Sequence, residues 1–223
     1  MRNTDSRLII FAKAPVPGLV KTRLASDIGE ARAAQIHRQL VLHTLETAAQ
    51  CISRPIELWC APGADHEFFQ DCRQHYPLSL HTQQGNDLGE RMSNAFIASL
   101  ARGRDAVLIG TDCPLLDDEH LSLAFDSLEQ GLDAVITPAD DGGYVLLGLS
   151  VFSPRLFTGI DWGAPSVYRD TIERLEQLQW SWRGHGQLWD IDTAADFERL
   201  LALEGQALPA RLRKLIGKLG RIY

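Results

Sequence analysis

A short apolar run at residues 8–10, Leu-Ile-Ile, feeds directly into Phe11-Ala-Lys-Ala-Pro-Val-Pro-Gly-Leu-Val-Lys-Thr-Arg-Leu24. A buried strand over 8–14 that delivers a proline-braced basic loop admits few architectures. Pro15 and Pro17 fix φ and remove backbone donors, while Gly18 lets the chain bend where a side chain would clash. Ligands of open α/β sheets sit at the carboxyl ends of strands, so a rigid cationic loop there reads as a grip on phosphates. Its candidate nucleotide contacts are Ala12, Lys13, Pro15, Gly18, Lys21, Thr22 and Arg23. The plain alternative is a surface loop with solvated lysines. Neither G-x-x-x-x-G-K-[ST] nor G-x-G-x-x-G is present.

The rest of the chain alternates short apolar runs with helical periodicity, which implies a mostly parallel sheet covered on both faces. Strands are expected over 56–60, 78–83, 106–110, 134–137 and 144–149, with short ones over 180–183 and 187–190. Helices are expected from near Asp27, where Asp27 and Glu30 make a capping-box pattern, and over 65–75, 88–100, 118–130, 164–178, 193–203 and 208–223. Ala34, Val41, Leu45 and Ala48 mark the apolar face of the first helix. The Asp-Asp-Gly-Gly turn at 140–143 joins two adjacent strands and makes the sheet mixed. With 223 residues and no linker, one domain is expected, its halves at about 8–112 and 113–203 with a terminal helix over 208–223.

The net charge of -7 argues against nucleic acid or an anionic membrane surface as the main partner. Cys51, Cys60, Cys72 and Cys113 have no zinc spacing and read as free thiols of a cytoplasmic protein. Residues 1–5 lack an apolar signal core, and no run reaches transmembrane length.

Further chemistry gathers at strand ends. Asp112 follows Ala-Val-Leu-Ile-Gly, where a carboxylate can hold Mg²⁺ or Mn²⁺ against a diphosphate, or cap a turn. Gln84-Gly-Asn-Asp-Leu-Gly-Glu-Arg91 leaves the third strand at the same edge. Asp87 and Glu90 satisfy a helix cap, which leaves Gly89 and Arg91 free to admit a base or ribose and to supply a cation. Gln84, Gly85, Asp87, Gly89, Glu90 and Arg91 are therefore further candidate nucleotide contacts. On pattern alone Asp140-Asp-Gly-Gly143 is a hairpin turn and Tyr144 is core. Asp192 precedes a second capping box, Thr193 to Asp196. His37 and His43 read as surface positions, and only His185, between two glycines, stands in a suggestive context.

Taken in order, the basic loop, Asp87-Leu-Gly-Glu-Arg-Met92, Gly110-Thr-Asp-Cys-Pro114, Pro138-Ala-Asp-Asp-Gly-Gly-Tyr144 and Asp190-Ile-Asp-Thr193 resemble the bacterial transferases of the DUF2064 type. These fall in the GT-A nucleotide-diphospho-sugar transferase superfamily. The resemblance implies a GT-A fold and a nucleotide or nucleotide-sugar donor with a small-molecule acceptor. It also implies that Asp112 is the acidic step that holds Mg²⁺ or Mn²⁺; on the glycosyl-transfer reading Asp141 or Asp192 serves as second metal ligand or general base, and Gly142, Gly143 and Tyr144 meet the acceptor. The first loop is also similar to that of phospholactate guanylyltransferases, which move a nucleotidyl group. Three readings follow: glycosyl transfer, nucleotidyl transfer with release of pyrophosphate, and a nucleotide-binding module without turnover.

Overall fold

The computed structural model describes residues 6–51, 54–203 and 210–220. Seven strands form one sheet: β1 (Arg7–Lys13), β2 (Ile56–Ala61), β3 (Leu78–Thr82), β4 (Ala106–Ile109), β5 (Ala134–Pro138), β6 (Tyr144–Leu149) and β7 (Trp182–Gly184). Their spatial order is β3-β2-β1-β4-β6-β5-β7. Only β6 runs against its neighbours, pairing antiparallel with β4 and β5; the other pairings are parallel. This is the mixed, mostly parallel α/β sheet expected. Because β6 reverses, the turn it shares with β5 lies at the edge where β1 and β4 also end.

The helices are α1 (Thr22–Ile28), α2 (Glu30–Cys51), α3 (Glu67–His75), α4 (Leu88–Leu100), α5 (Asp118–Glu129), α6 (Val167–Gln177), α7 (Ala194–Leu201) and α8 (Ala210–Leu219). A 3₁₀ turn, Pro154–Phe157, precedes α6 and had no signal in the sequence pattern. The first helix departs from expectation. Asp27 caps nothing; it lies in the last turn of α1, and Gly29 at φ 86 separates α1 from α2. A left-handed glycine satisfies the end of one helix and begins the next, so two helices stand where one was read. The segment over 187–190 forms a single bridge, Ala139 to Leu188, rather than a strand.

Alternation along β1 builds the two faces. Leu8, Ile10 and Ala12 pack under α2, α3 and α5, whereas Ile9 joins Met92 and Phe96 of α4 and Leu175 of α6. A third apolar cluster lies off the sheet. There Leu24 of α1 and Ile36 and Leu40 of α2 meet Trp189, Ile191, Phe197 of α7 and Leu215 of α8. Cys60, Cys72 and Cys113 are free and buried, as expected of reduced thiols; the side chain of Cys51, residues 1–5 and the outer parts of the 208–223 helix lie outside the described residues. Among the described residues no helix is long and apolar enough to cross a membrane.

Candidate functional site

The loop after β1 is built largely on itself. Ala14 N–H donates to Ala61 O, Val16 N–H to Ala14 O and Leu19 N–H to Val16 O. It ends at Lys21, which takes φ 50 and ψ 43 and begins α1 without a side-chain cap. A non-glycine residue in the left-handed region costs about 1 kcal/mol and persists only where surroundings hold it. Here two carboxylates do so. Lys21 Nζ lies 2.7 Å from Asp112 Oδ1 and 3.0 Å from Asp192 Oδ1, and its side chain is 3% exposed. Burial works to lower the Lys21 pKa, but Asp112 and Asp192 outweigh it and hold the ammonium charged. Burial likewise works to raise Asp112, and the Lys21 ammonium draws it well below the usual carboxylate range.

His37 corrects the sequence reading. It is 4% exposed, not a surface residue, and reaches from α2 to the ends of β1 and β4. Its Nε2 lies 3.0 Å from Lys13 O. A carbonyl only accepts, so Nε2 carries the proton. Nδ1 then faces Asp112 Oδ1 at 3.6 Å, without a hydrogen-bond partner among the described residues. His43 is also buried, with Nε2 3.0 Å from Pro114 O. His185 lies with Nε2 3.0 Å from the buried Ser127 hydroxyl and does not join Asp112 and Lys21 in their cleft.

Around Asp112 opens a cleft of about 610 Å³. Of the expected nucleotide contacts, Ala12, Lys13, Lys21, Thr22, Arg23, Asp87 and Arg91 line it, as do Asp112 and Asp192. Gln83 lines it where Gln84 was expected, its amide held by Trp59 O at 2.8 Å and Ala12 O at 3.4 Å. The remaining candidates shape the walls from behind. Pro15 stiffens the loop, and Gly18, at φ 78, turns its open side toward the Glu30 carboxylate. Gly85, at φ 137, leaves no room for a Cβ beside Glu90. Asp87 Oδ1 accepts from Glu90 N–H, and Glu90 Oε2 accepts from Asn86 N–H, so these two acids set the helix start. Arg91 Nε–H donates to Gly85 O at 3.0 Å, which ties the cation to its own turn. Gly89 does not open onto the cleft, because the Trp162 indole occupies the space a Cβ would need.

A second pocket, about 250 Å³, adjoins the cleft and shares Phe11, Leu88 and Gly110 with it. Asp141, Gly143 and Tyr144 line it. Asp141 Oδ1 accepts from Gly143 N–H at 2.9 Å, an Asx turn, so the segment is the hairpin turn expected and also lines the pocket. Gly142 instead fixes the neighbouring loop. At φ 89 it sits against the Pro165 backbone, and its carbonyl accepts from Tyr168 N–H at 2.8 Å. Tyr144 is held near Met92, with burial keeping its hydroxyl neutral. Asp190, not singled out as a ligand or base in the sequence, lines the same pocket. Burial, with Asp112 and Asp192 nearby and against Lys21, pushes its carboxyl up to about 8. Cys113 is no nucleophile, since burial pushes its thiol up to about 12.

Asp112 and Asp192 converge on one cation, the geometry of a divalent site, yet that cation is Lys21. Among the described residues no group of three or more His, Cys, Asp or Glu is arranged to hold a metal. Two carboxylates fit Mg²⁺ or Mn²⁺ that keeps its waters and arrives on substrate phosphates, and do not fit a cage supplied by the protein alone.

A family profile described as an uncharacterized protein conserved in bacteria (DUF2064) matches residues 44–164. The chain belongs to the DUF2064 family. A protein from Desulfovibrio desulfuricans, provisionally named a nucleotide-diphospho-sugar transferase, superposes with a TM-score of 0.86 at 29% identity, covering 98% of this chain and 96% of that one. The inositol-1-phosphate CTP transferase of T. maritima superposes at 0.59 with 11% identity, over 97% and 96% of the two chains. A cytidylyltransferase from Leptospira borgpetersenii gives 0.57 at 15% identity, over 98% and 96%. The last two likenesses speak to the fold alone. No curated protein matches this DUF2064 sequence.

Proposed function

We propose that this chain is a transferase that takes a nucleoside diphosphate-sugar in the larger cleft and moves its sugar to a small acceptor in the adjoining pocket. The observation that carries this is the meeting, at one sheet edge, of Lys13, Arg23 and Arg91 with the Lys21-bridged pair Asp112 and Asp192. Cations flank the place where a diphosphate leaves, and they stabilise the charge that develops there. The neighbour provisionally named a nucleotide-diphospho-sugar transferase supports the donor class. Asp112 and Asp192 would hold Mg²⁺ or Mn²⁺, which would neutralise diphosphate charge when bound.

The acceptor hydroxyl oxygen bonds to the sugar's anomeric carbon. The bond from that carbon to the diphosphate oxygen breaks, and its electron pair leaves on the nucleoside diphosphate. The proton would pass to Asp141, an exposed carboxylate that lines the pocket. The rival is nucleotidyl transfer, in which the same cations would hold an NTP and pyrophosphate would leave; the two cytidylyl-transferring relatives with this fold keep it in play. A thermal-shift and product screen of NTPs and sugar nucleotides, with and without Mn²⁺, tests both. Sugar-nucleotide stabilisation with release of nucleoside diphosphate is expected. Pyrophosphate release from an NTP would replace the sugar-transfer reading, and no nucleotide binding at all would leave only a fold without this site.

A further inference from the structure

We infer that the acceptor is not an anion: it is an alcohol with a flat apolar flank, neither a phosphate monoester nor a carboxylate. This rests on the reading that the pocket beside the donor cleft takes the acceptor. A phosphate or carboxylate drawn out of water needs cations or free N–H groups to replace its hydration. Among the described residues the pocket offers no cation, and the amides at its turns have other partners. No Lys, Arg or His lines it, and its two ionisable walls besides Tyr144 are the carboxyl groups of Asp141 and Asp190.

Five backbone amides at the two turns beside the pocket are already engaged. Gly143 N–H donates to Asp141 Oδ1, and Gly142 N–H to Ala139 O. At the start of α6, Ala164 N–H donates to Asp161 O, Val167 N–H to Ala164 O and Tyr168 N–H to Gly142 O. The helix terminus nearest the pocket therefore has these donors closed. The cations of the site all lie in the larger cleft, and the one nearest Asp190, Lys21, is held by Asp112 and Asp192.

What the pocket does offer is flat apolar surface. Trp162 continues a row of stacked rings, Phe157 to Trp162 at 6.5 Å between centroids and Phe96 to Phe157 at 5.8 Å. With Phe11, Val145 and Val167 it makes a wall on which a ring face would rest. Asp141 and Asp190 add carboxyl groups that would hydrogen-bond hydroxyls. Rings and carboxyls together suit a polyhydroxylated or aryl alcohol.

The inference is tested with probes that share one body. Benzyl alcohol and benzyl phosphate are titrated by saturation-transfer NMR against the full chain, with and without nucleoside diphosphate and Mg²⁺. Expected is alcohol binding at least tenfold tighter than phosphate binding, weakened at least fivefold in Trp162→Ala. Ala164→Lys, which adds a cation to the pocket wall, should reverse the order of the two probes. Equal or tighter binding of benzyl phosphate by the unaltered pocket, still lost in Trp162→Ala, would overturn the inference. So would failure of the alcohol to bind in either state. Nucleotide affinity, read in the same samples by isothermal titration, should be unchanged in both variants. Its absence from the unaltered protein would instead sink the donor reading.

Discussion

The cleft and the pocket share three residues and one sheet edge, yet they are held open by opposite means. The cleft is held by charge that the chain balances internally, with Lys21 between Asp112 and Asp192. The pocket is held by steric fit, with the Trp162 indole over Gly89 and the Pro165 backbone against Gly142. Charge placed this way can be exchanged for a ligand's charge. Packing of this kind cannot be exchanged without losing shape. On the proposed function the cleft would be the part that responds to a ligand, and the pocket the part that selects by form.

The largest expected effect falls on the cleft. Asp112→Asn should lower turnover by about 10²–10³-fold, the scale of one lost electrostatic contact at a reacting centre. Metal-dependent nucleotide binding, followed by calorimetry, should vanish with it. Because Lys21 keeps Asp192, the apo melting temperature should fall much less than the activity. Undiminished metal-dependent affinity would remove Asp112 from the site.

Lys21→Met comes next. Nucleotide affinity should weaken by about 1.5–3 kcal/mol, the worth of a charge-assisted contact. The same variant should bind Mn²⁺ without nucleotide more tightly than the parent, since two carboxylates lose their shared counter-ion. Tighter Mn²⁺ binding in the parent than in the variant, read by electron paramagnetic resonance, would contradict Lys21 occupying a metal's position between the two carboxylates.

Gly89→Ala sharpens the comparison from the other side. Its methyl group meets the Trp162 ring, so stability should drop by about 1–3 kcal/mol in urea unfolding. Acceptor-dependent turnover should fall while nucleotide affinity holds. A weakened nucleotide with an intact pocket would return Gly89 to the role first read for it.

The smallest effect is a pH slope. Burial lowers the pKa of His43, and His81 and His185 shift the same way, also through burial. A histidine held neutral in the folded state does not take the proton that the unfolded chain takes below its ordinary pKa. Stability is therefore full above that value and declines as pH falls through about 6.5. His43→Gln should flatten part of that decline in thermal melts between neutral and mildly acid pH.

The sheet was legible because buried strands are continuous apolar runs, and the hairpin because two acids and two glycines leave few other conformations. The break at Gly29 was not, since the Asp27–Glu30 spacing imitates a helix start inside what is really a helix end. His37 was legible in principle: it lies three residues after Ala34 and four before Val41, within the buried stripe already drawn. A polar residue on an apolar face has to be satisfied, and that alone pointed inward. Asp190 had no such signal, because its burial is made by residues distant in sequence. Gly89 was misassigned for the same reason, its partner being Trp162, which no local pattern connects to it.

The third apolar cluster joins α1, which follows the basic loop, to α7 and α8, with Leu24, Phe197 and Leu215 in one group. The loop that opens the sequence is thus braced by segments made near its end, and Asp192 is contributed by that same region. During synthesis the first strand and its loop emerge long before their counter-charges do. The cleft therefore has its pair of carboxylates only once the segments around Asp192 have docked against α1.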